Sequence, residues 1–188
     1  FAFVWLILEL GAKSDVSGML LFVMGLPALF ISLPIGVFSD RMNRRVILIS
    51  SQIGAFGITL CTAIYVSTGH ITTLSATISA AILGVFIAIG QPVRSATVST
   101  LVPKEQLMNA IIVSTVASNL ALIFGPAIAG PAISRWGIEG AFWVQAILYG
   151  LGLLTLLPLK LPPPTHSDEP RDLRQELQVG MRFIWSNK

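Results

Sequence analysis

Long stretches without a charged residue divide this chain. Asp, Glu, Lys and Arg are absent from 16–39, 46–93, 106–134 and 140–159. A helix at the surface of a soluble protein has one apolar stripe and one polar face, whereas these stretches are apolar all round. Because about 20 apolar residues of helix cross the ~30 Å hydrocarbon layer of a bilayer, the pattern predicts membrane-spanning helices.

The charge-free stretches predict six spans, at about 1–11, 16–38, 46–67, 72–93, 105–133 and 140–159. The apolar run at 1–8 is too short to cross a bilayer and lacks the features of a signal peptide. We therefore expect a truncated first span and treat the chain as a fragment. Since backbone groups cannot stay unpaired in lipid, the predicted fold class is an all-α membrane protein, a bundle of six transmembrane helices.

The positive charges predict the orientation of this bundle. Of the 12 Lys and Arg residues, only Lys13 and Arg135 lie on one side of the predicted membrane, and the other ten lie on the opposite side. Cytoplasmic segments carry such an excess, so the pattern predicts a multi-pass protein of the inner membrane with a cytoplasmic C-terminal tail. The net charge of +3 sits at helix ends, and we expect the lipid bilayer as a partner and no nucleic acid.

Three consecutive prolines separate two predicted regions. Residues 1–161 form the transmembrane bundle, and Pro162-Pro163-Pro164 cannot continue a helix. Residues 162–188 are predicted to be a cytoplasmic linker with an amphipathic helix. That helix is expected to lie on the membrane surface, to pack under the bundle or to serve only as a structural linker. Its apolar face consists of Leu173, Leu177, Met181, Ile184 and Trp185.

Small residues recur every four positions in two predicted spans. The fourth span carries Ala76, Ala80, Gly84 and Ala88, and the fifth carries Ala117, Ala121, Gly125 and Ala129. This spacing lets helix backbones approach closely. It predicts packing of the two spans against each other or against a part of the protein outside this chain, with chance in an alanine-rich sequence as the alternative. The single cysteine, Cys61, excludes an intramolecular disulfide and a metal cluster, and we expect it to be a small buried hydrophobe.

The densest polar cluster joins the second and third predicted spans. Asp40 lies near the C-terminal end of a helix, where the helix dipole disfavours an anion. It therefore needs a cationic or N–H partner, which Arg41, Arg44 or Arg45 could supply. Asn43 tolerates the left-handed conformation that we expect in so short a loop. From the residues alone, the cluster is a positive anchor with an internal ion pair.

This cluster resembles the signature loop of the major facilitator superfamily of transporters. The residues that match its pattern are Gly36, Asp40, Arg41, Arg44 and Arg45, while Phe38 and Asn43 replace a usual Leu and Gly. In that family the loop is a conformational latch whose Asp engages a helix of the C-terminal half. The resemblance implies a latch role for the five matching residues, and a chain that is half of a twelve-helix fold built from inverted three-helix repeats. The missing C-terminal half is then its partner.

A second stretch, at 91–110, resembles the enterobactin-exporter-like branch of the superfamily. Arg94 matches an arginine near the cytoplasmic end of the fourth helix of that branch. Its alternative role is an anchor whose charged end reaches the membrane surface. Pro103, Lys104 and Glu105 predict a loop and a helix start, so Glu105 is a second charge at a cytoplasmic helix end.

Two Gly-Pro pairs lie inside the fifth predicted span. They weaken its hydrogen-bond ladder, and we expect them to bend the helix. Gly125, Pro126 and Gly130 resemble the antiporter motif of exporters in this superfamily, although Ala121 and Ala129 replace glycines of its fullest form. A purely structural kink is the alternative.

Ionisable residues are almost absent within the predicted spans. Glu9, near the outer end of the first span, could bind a proton or a cationic substrate, or could be an interfacial residue. The uncharged candidates for lining a cavity or bonding across helices are Asn119, Gln52 and Gln145. Three tryptophans, Trp5, Trp136 and Trp143, fit an aromatic belt at the outer interface.

The family resemblance implies transport by alternating access. We expect proton-driven export of small amphipathic molecules such as drugs or siderophores, without a metal or a cofactor. The alternatives are an importer of the same superfamily and a membrane protein with a structural or assembly role. An intramembrane enzyme is disfavoured because no predicted span carries a recognisable catalytic set.

Overall fold

The computed structural model describes residues 2–11, 14–41 and 43–159, and at 14–15, 32–34 and 36–41 it describes the backbone alone. Every regular element in these ranges is helical, which confirms the predicted all-α class. The elements are α1 (Ala2–Glu9), α2 (Ser14–Arg41), α3 (Arg44–Ser67), α4 (Thr73–Leu101) and α5 (Leu107–Leu156), with a 3₁₀ turn at Lys104–Gln106. The predicted linker at 162–188 lies outside the described residues.

Helix lengths agree with the predicted spans. The helices α3 and α4 and the stretch Lys104–Leu156 are long and apolar enough to cross a membrane, and α2 contains a shorter apolar stretch at Val16–Ile31. The 24 residues of α3 and the 29 of α4 extend about 36 and 43 Å at 1.5 Å per residue. Both lengths exceed the ~30 Å hydrocarbon layer, whereas the eight residues of α1 are too few to span it.

The 50 residues of α5 contain the fifth and sixth predicted spans, joined at Gly137. There φ is 68° and ψ is −171°, a combination open to glycine and strained for other residues. A Cβ atom at Gly140 would lie 2.9 Å from the carbonyl oxygen of Ala132. Eight residues of a straight helix cover about 12 Å, so the chain reverses direction at Gly137 and forms two spans.

The packing centres on α4. This helix contacts α2 and α3, while α3 also contacts α5. The small-residue stripe of α4 is buried, and a Cβ atom at Gly84 would collide with the backbone carbonyl of Met24 in α2. Close helix packing, predicted from the spacing, is therefore confirmed for α4, but the partner at Gly84 is α2 and not the fifth predicted span. In the same core, the Phe3 ring of α1 meets the Phe142 ring of α5 edge-on at a centroid distance of 4.9 Å.

The corresponding stripe of α5 lies elsewhere. Ala117, Ala121 and Gly125 are exposed, and no described atom lies within 4 Å of a Cβ placed at Gly125. The two stripes therefore do not pack against each other in the described part of the chain. The expectation that Cys61 is buried was wrong, because its side chain is exposed. Its apolar stretch indicated membrane burial, which does not require burial inside the protein.

Candidate functional site

The short α2–α3 connection brings the start of α3 to the ends of two other helices. Asn43 has extended backbone angles, φ −65° and ψ 105°, and its side chain accepts a hydrogen bond from the backbone N–H of Arg45 at 3.0 Å. Asn43 is thus the N-cap of α3. The left-handed conformation expected for it was wrong, because capping the helix requires an extended residue here.

Two arginines of this connection bind backbone carbonyls across the bundle. Arg44 Nη1 donates to the carbonyl of Ala96 in α4 at 3.2 Å, and Arg45 Nη2 donates to the carbonyl of Leu157, just past α5, at 2.8 Å. The C-terminal end of a helix carries partial negative charge, so a cation is favourable there. We call this end of the bundle, which carries Arg44, Arg45, Arg94 and Lys104, the basic end.

The proposed latch residues are only partly described. The backbone of α2 continues through Arg41, which places Asp40 in the last turn as expected. The side chains of Asp40 and Arg41 lie outside the described part of the structure, so their ion pair and the latch role of the loop stay predictions. Arg44 and Arg45 are brought together with the ends of α4 and α5, which no sequence signal indicated.

A polar cavity of about 210 Å³ lies between α3, α4 and the second half of α5. The amide nitrogen Nε2 of Gln52, a buried residue of α3, donates to the carbonyl of Tyr149 in α5 at 3.0 Å. The prediction that Gln52 lines a cavity or bonds across helices is therefore confirmed. The polar residues lining the cavity are Ser51, Gln52, Gln91, Arg94 and Tyr149.

Two glycines make room for these polar groups. A Cβ atom at Gly90 would lie 3.1 Å from the Oγ of Ser51, and one at Gly152 would lie 2.7 Å from the Nε2 of Gln52. Real Cβ atoms rarely come so close, so each glycine permits the approach of α3 to a neighbouring helix. The sequence indicated neither glycine, because the spacing of small residues pointed to other faces of the helices.

Arg94 and Gln91 are the exposed polar residues of the cavity lining. Arg94 lies seven residues before Leu101, the last residue of α4, which is about 10 Å along the helix axis. Its role as a charge at a cytoplasmic helix end stays a prediction. Its position on the same cavity as Gln52 and Tyr149 depends on which helices pack together, and the sequence did not predict it.

The other predicted site residues lie apart from this cavity. Glu9 is the exposed last residue of α1, Glu105 is exposed in the 3₁₀ turn, and Asn119 is exposed on α5. In the antiporter-like stretch, no described atom lies within 4 Å of a Cβ placed at Gly125 or Gly130. The helix continues through Pro126, and its one non-helical residue is Gly137, so the role of the stretch and its bend stay predictions.

A second cavity, of about 390 Å³, opens between α3 and α4 near the opposite end of the bundle. Its lining is mostly apolar and includes Cys61, Tyr65 and Ser79. Close by, Trp143 Nε1 donates to the Oγ of Ser67, near the end of α3, at 3.2 Å. Trp143, Trp136 and Trp5 are all substantially exposed, as residues of an interfacial belt are.

Comparison with known proteins identifies the class to which this fold and loop belong. Residues 1–188 match the Major Facilitator Superfamily. Because the match covers the whole chain, the chain belongs to this superfamily of transporters, and it is an integral membrane protein. No solved structure matches it.

Several curated relatives are similar to the chain. It is 27% identical to the "Uncharacterized MFS-type transporter YfiS" of Bacillus subtilis, over 73% of this chain and 32% of that protein. It is 26% identical to the "Multidrug efflux pump Tap" of Mycobacterium tuberculosis, over 98% of this chain and 46% of the relative. The "Staphyloferrin A transporter" of Staphylococcus aureus is 27% identical, over 82% of this chain and 39% of the relative. The chain thus spans less than half the length of these relatives.

Proposed function

We propose that this chain is the N-terminal half of an exporter that moves small amphipathic molecules out of the cell in exchange for protons. The full-length transporter lies in the inner membrane, and the basic end of the bundle faces the cytoplasm. The observation that carries the proposal is the alignment of nearly the whole chain with a relative named as a multidrug efflux pump. A relative named as a transporter of staphyloferrin A, a siderophore, supports small-molecule cargo.

The contacts at the basic end support alternating access. Arg44 and Arg45 hold the starts and ends of three helices together through carbonyl groups, so this half can move as one body. Rocking of one half against the other around a central site is the transport mode of this fold. In the proposal, the loop 36–45 latches one of the two end states.

The first experiment tests direction and coupling in the full-length transporter. Inside-out membrane vesicles are loaded through their lipid with a fluorescent amphipathic dye, and a proton gradient is imposed. We expect dye accumulation in the vesicle lumen that stops when a protonophore collapses the gradient. Accumulation that ignores the protonophore contradicts proton coupling, and dye movement in the opposite direction favours an importer.

The second experiment tests the latch. Asp40→Asn and Arg41→Gln are compared with Arg135→Gln, an exposed arginine at the opposite end of the bundle. We expect the first two variants to lose most transport while their amounts in the membrane stay normal, and Arg135→Gln to transport as the parent does. Undiminished transport by the Asp40 and Arg41 variants contradicts the latch role. If neither the parent protein nor any variant transports dye, the structural or assembly alternative is favoured.

A further inference from the structure

We propose that the polar cavity beside Arg94 binds the anionic group of an amphipathic molecule, a carboxylate or a phosphate, whose apolar part lies along α4. The inference rests on the proposed transport function in taking this molecule as cargo, and it adds the charge that the cargo carries. The cavity lies between α3, α4 and the second half of α5.

Hydrogen-bond donors at the rim of the cavity have no acceptor among the described residues. An arginine has five N–H donors and a glutamine amide has two. Among the described residues, neither Arg94 nor Gln91 donates a hydrogen bond, whereas the deeper Gln52 uses its amide nitrogen on the Tyr149 carbonyl. Most of the donors that remain for a ligand are therefore at the rim, because Gln52 keeps only one further N–H.

The charge at the rim is also unbalanced. No carboxylate in the described part of the chain pairs with Arg94. A guanidinium group binds carboxylates and phosphates through paired N–H donors, and an ionisable group at the edge of the hydrocarbon layer is costly unless it has a partner or a function. An anion is thus the ligand that this rim favours over a cation or a neutral group.

The size of the cavity limits what it holds. Pockets that bury most of a drug-sized ligand measure about 300–1,000 Å³, and this cavity measures about 210 Å³. It therefore has room for a head group and not for a whole amphipathic molecule.

The apolar part of the ligand has a surface beside the cavity. Ile87, Gln91 and Arg94 are spaced four and three residues apart, so they lie on one face of α4. Ile87, one turn from Gln91, is 39% exposed, and Phe86 also lines the cavity. An anionic head group at Arg94 with an apolar body over Ile87 would contact both surfaces. An arginine that only anchors the helix end would bind anionic and neutral ligands equally.

The test compares two dyes of nearly the same size and shape, one anionic and one neutral. The full-length transporter, purified in a neutral detergent, is titrated with dansylglycine, a carboxylate, and with dansylglycinamide, its neutral amide. We expect the carboxylate to bind about tenfold more tightly, as a charge-assisted hydrogen bond provides. Arg94→Gln is expected to abolish this preference, and Arg94→Lys to keep most of it.

Two further variants separate binding from folding. Lys104→Gln removes a positive charge at an exposed position of the basic end outside the cavity lining, and we expect no effect on the preference. Gln91→Leu changes an exposed side chain, so it leaves the fold intact, and we expect it to weaken carboxylate binding roughly 2–10-fold. Equal binding of the two dyes by the parent protein, or an unchanged preference in Arg94→Gln, overturns the proposal.

An anionic lipid has the same chemistry as an anionic cargo. Titrations in nanodiscs of phosphatidylcholine, with and without phosphatidylglycerol, distinguish the two. Dansylglycine affinity that is unaffected by phosphatidylglycerol supports cargo, whereas displacement by that lipid overturns the cargo assignment. If the protein binds the carboxylate through Arg94 but transports nothing, the site is supported and the proposed transport function is wrong. If the protein exports the dye in exchange for protons but its binding does not depend on Arg94, only the proposed site is wrong.

Discussion

The helix α4 and the first half of α5 carry the same spacing of small residues in opposite surroundings. Ala76, Ala80, Gly84 and Ala88 of α4 are buried, and Gly84 lies against the backbone of α2. Ala117, Ala121 and Gly125 of α5 are exposed. The difference shows that small residues permit a close approach but do not identify the helix that approaches.

The two halves of α5 differ in the same way. The second half is tied to α3 through the Gln52–Tyr149 and Arg45–Leu157 hydrogen bonds. The described residues at 111–128 are exposed throughout. Both halves are strongly apolar, but the second contributes most of the buried residues, such as Phe142 and Ala146, and Ala132 near Gly137 is the one buried residue of the first half.

The largest difference in stability is expected between leucine substitutions at the glycines of the two stripes, Gly84 and Gly125. In Gly84→Leu the new side chain meets the Met24 carbonyl, which belongs to a helix and cannot move aside. Overpacking costs about 1–3 kcal/mol or more, a large share of the usual stability of a fold. Gly125→Leu meets no described atom and replaces a helical glycine, so we expect a change between zero and a gain of about 1 kcal/mol. Size-exclusion chromatography of the heated, detergent-solubilised chain measures both.

Equal damage by the two leucines in this chain contradicts the contrast. The same two substitutions in the full-length transporter test whether the stripe of α5 is exposed there as well. If Gly125→Leu becomes as harmful there as Gly84→Leu, a part of the protein outside this chain covers the stripe of α5.

Cysteine labelling compares the stripes without loss of fold. In a Cys61→Ser background, Ala80→Cys and Ala121→Cys are treated with N-ethylmaleimide in mild detergent. Ala80 is fully buried and Ala121 is exposed, so the cysteine at 121 is expected to react much faster. Similar rates, with denatured protein as the reference for full reactivity, contradict the difference in burial.

A smaller difference in stability is expected between substitutions of one polar residue on α3 and one on the first half of α5. Gln52→Ala removes the hydrogen bond to Tyr149 and leaves a space beside it, at a cost of about 1–3 kcal/mol. Asn119→Ala changes an exposed residue, and we expect less than about 0.5 kcal/mol. Unfolding by sodium dodecyl sulfate, followed by tryptophan fluorescence, compares the two variants, and an equal loss of stability shows that α5 is packed along both halves.

The smallest effect is expected at the basic end. Arg45→Gln loses the hydrogen bond to Leu157, worth about 1 kcal/mol or less for a partly exposed pair. Hydrogen exchange is expected to quicken at 150–157 and to stay unchanged at 111–128, since only the second half of α5 is tied to α3. Arg135→Gln serves as the control, and faster exchange in both halves contradicts the separate attachment.

Much of the fold could be predicted because the signals are local. Charge-free stretches indicate spans regardless of their neighbours, and the polar residues at 67–70 marked the end of α3. The reversal within α5 was predicted only as a gap between two spans. Its dependence on Gly137 was missed, since one positive φ angle leaves no periodic signal.

Less of the candidate site could be predicted. The loop 36–45 and Arg94 stood out by composition, and Gln52 as a polar residue within an apolar span. Their partners did not, because Ala96, Leu157 and Tyr149 contribute backbone carbonyls, which every residue possesses. Gly90 and Gly152 matter only through the side chains that face them.

The sequence by itself determined that this protein spans a membrane, where its helices lie along the chain and which superfamily its loop resembles. Each of these follows from residue types and spacings within one segment. Only the tertiary structure decided which small-residue stripe is buried and which residues share a cavity with Arg94. Those outcomes depend on how three helices are arranged together. A helix that is apolar on every face has no sequence pattern that indicates which neighbour it contacts.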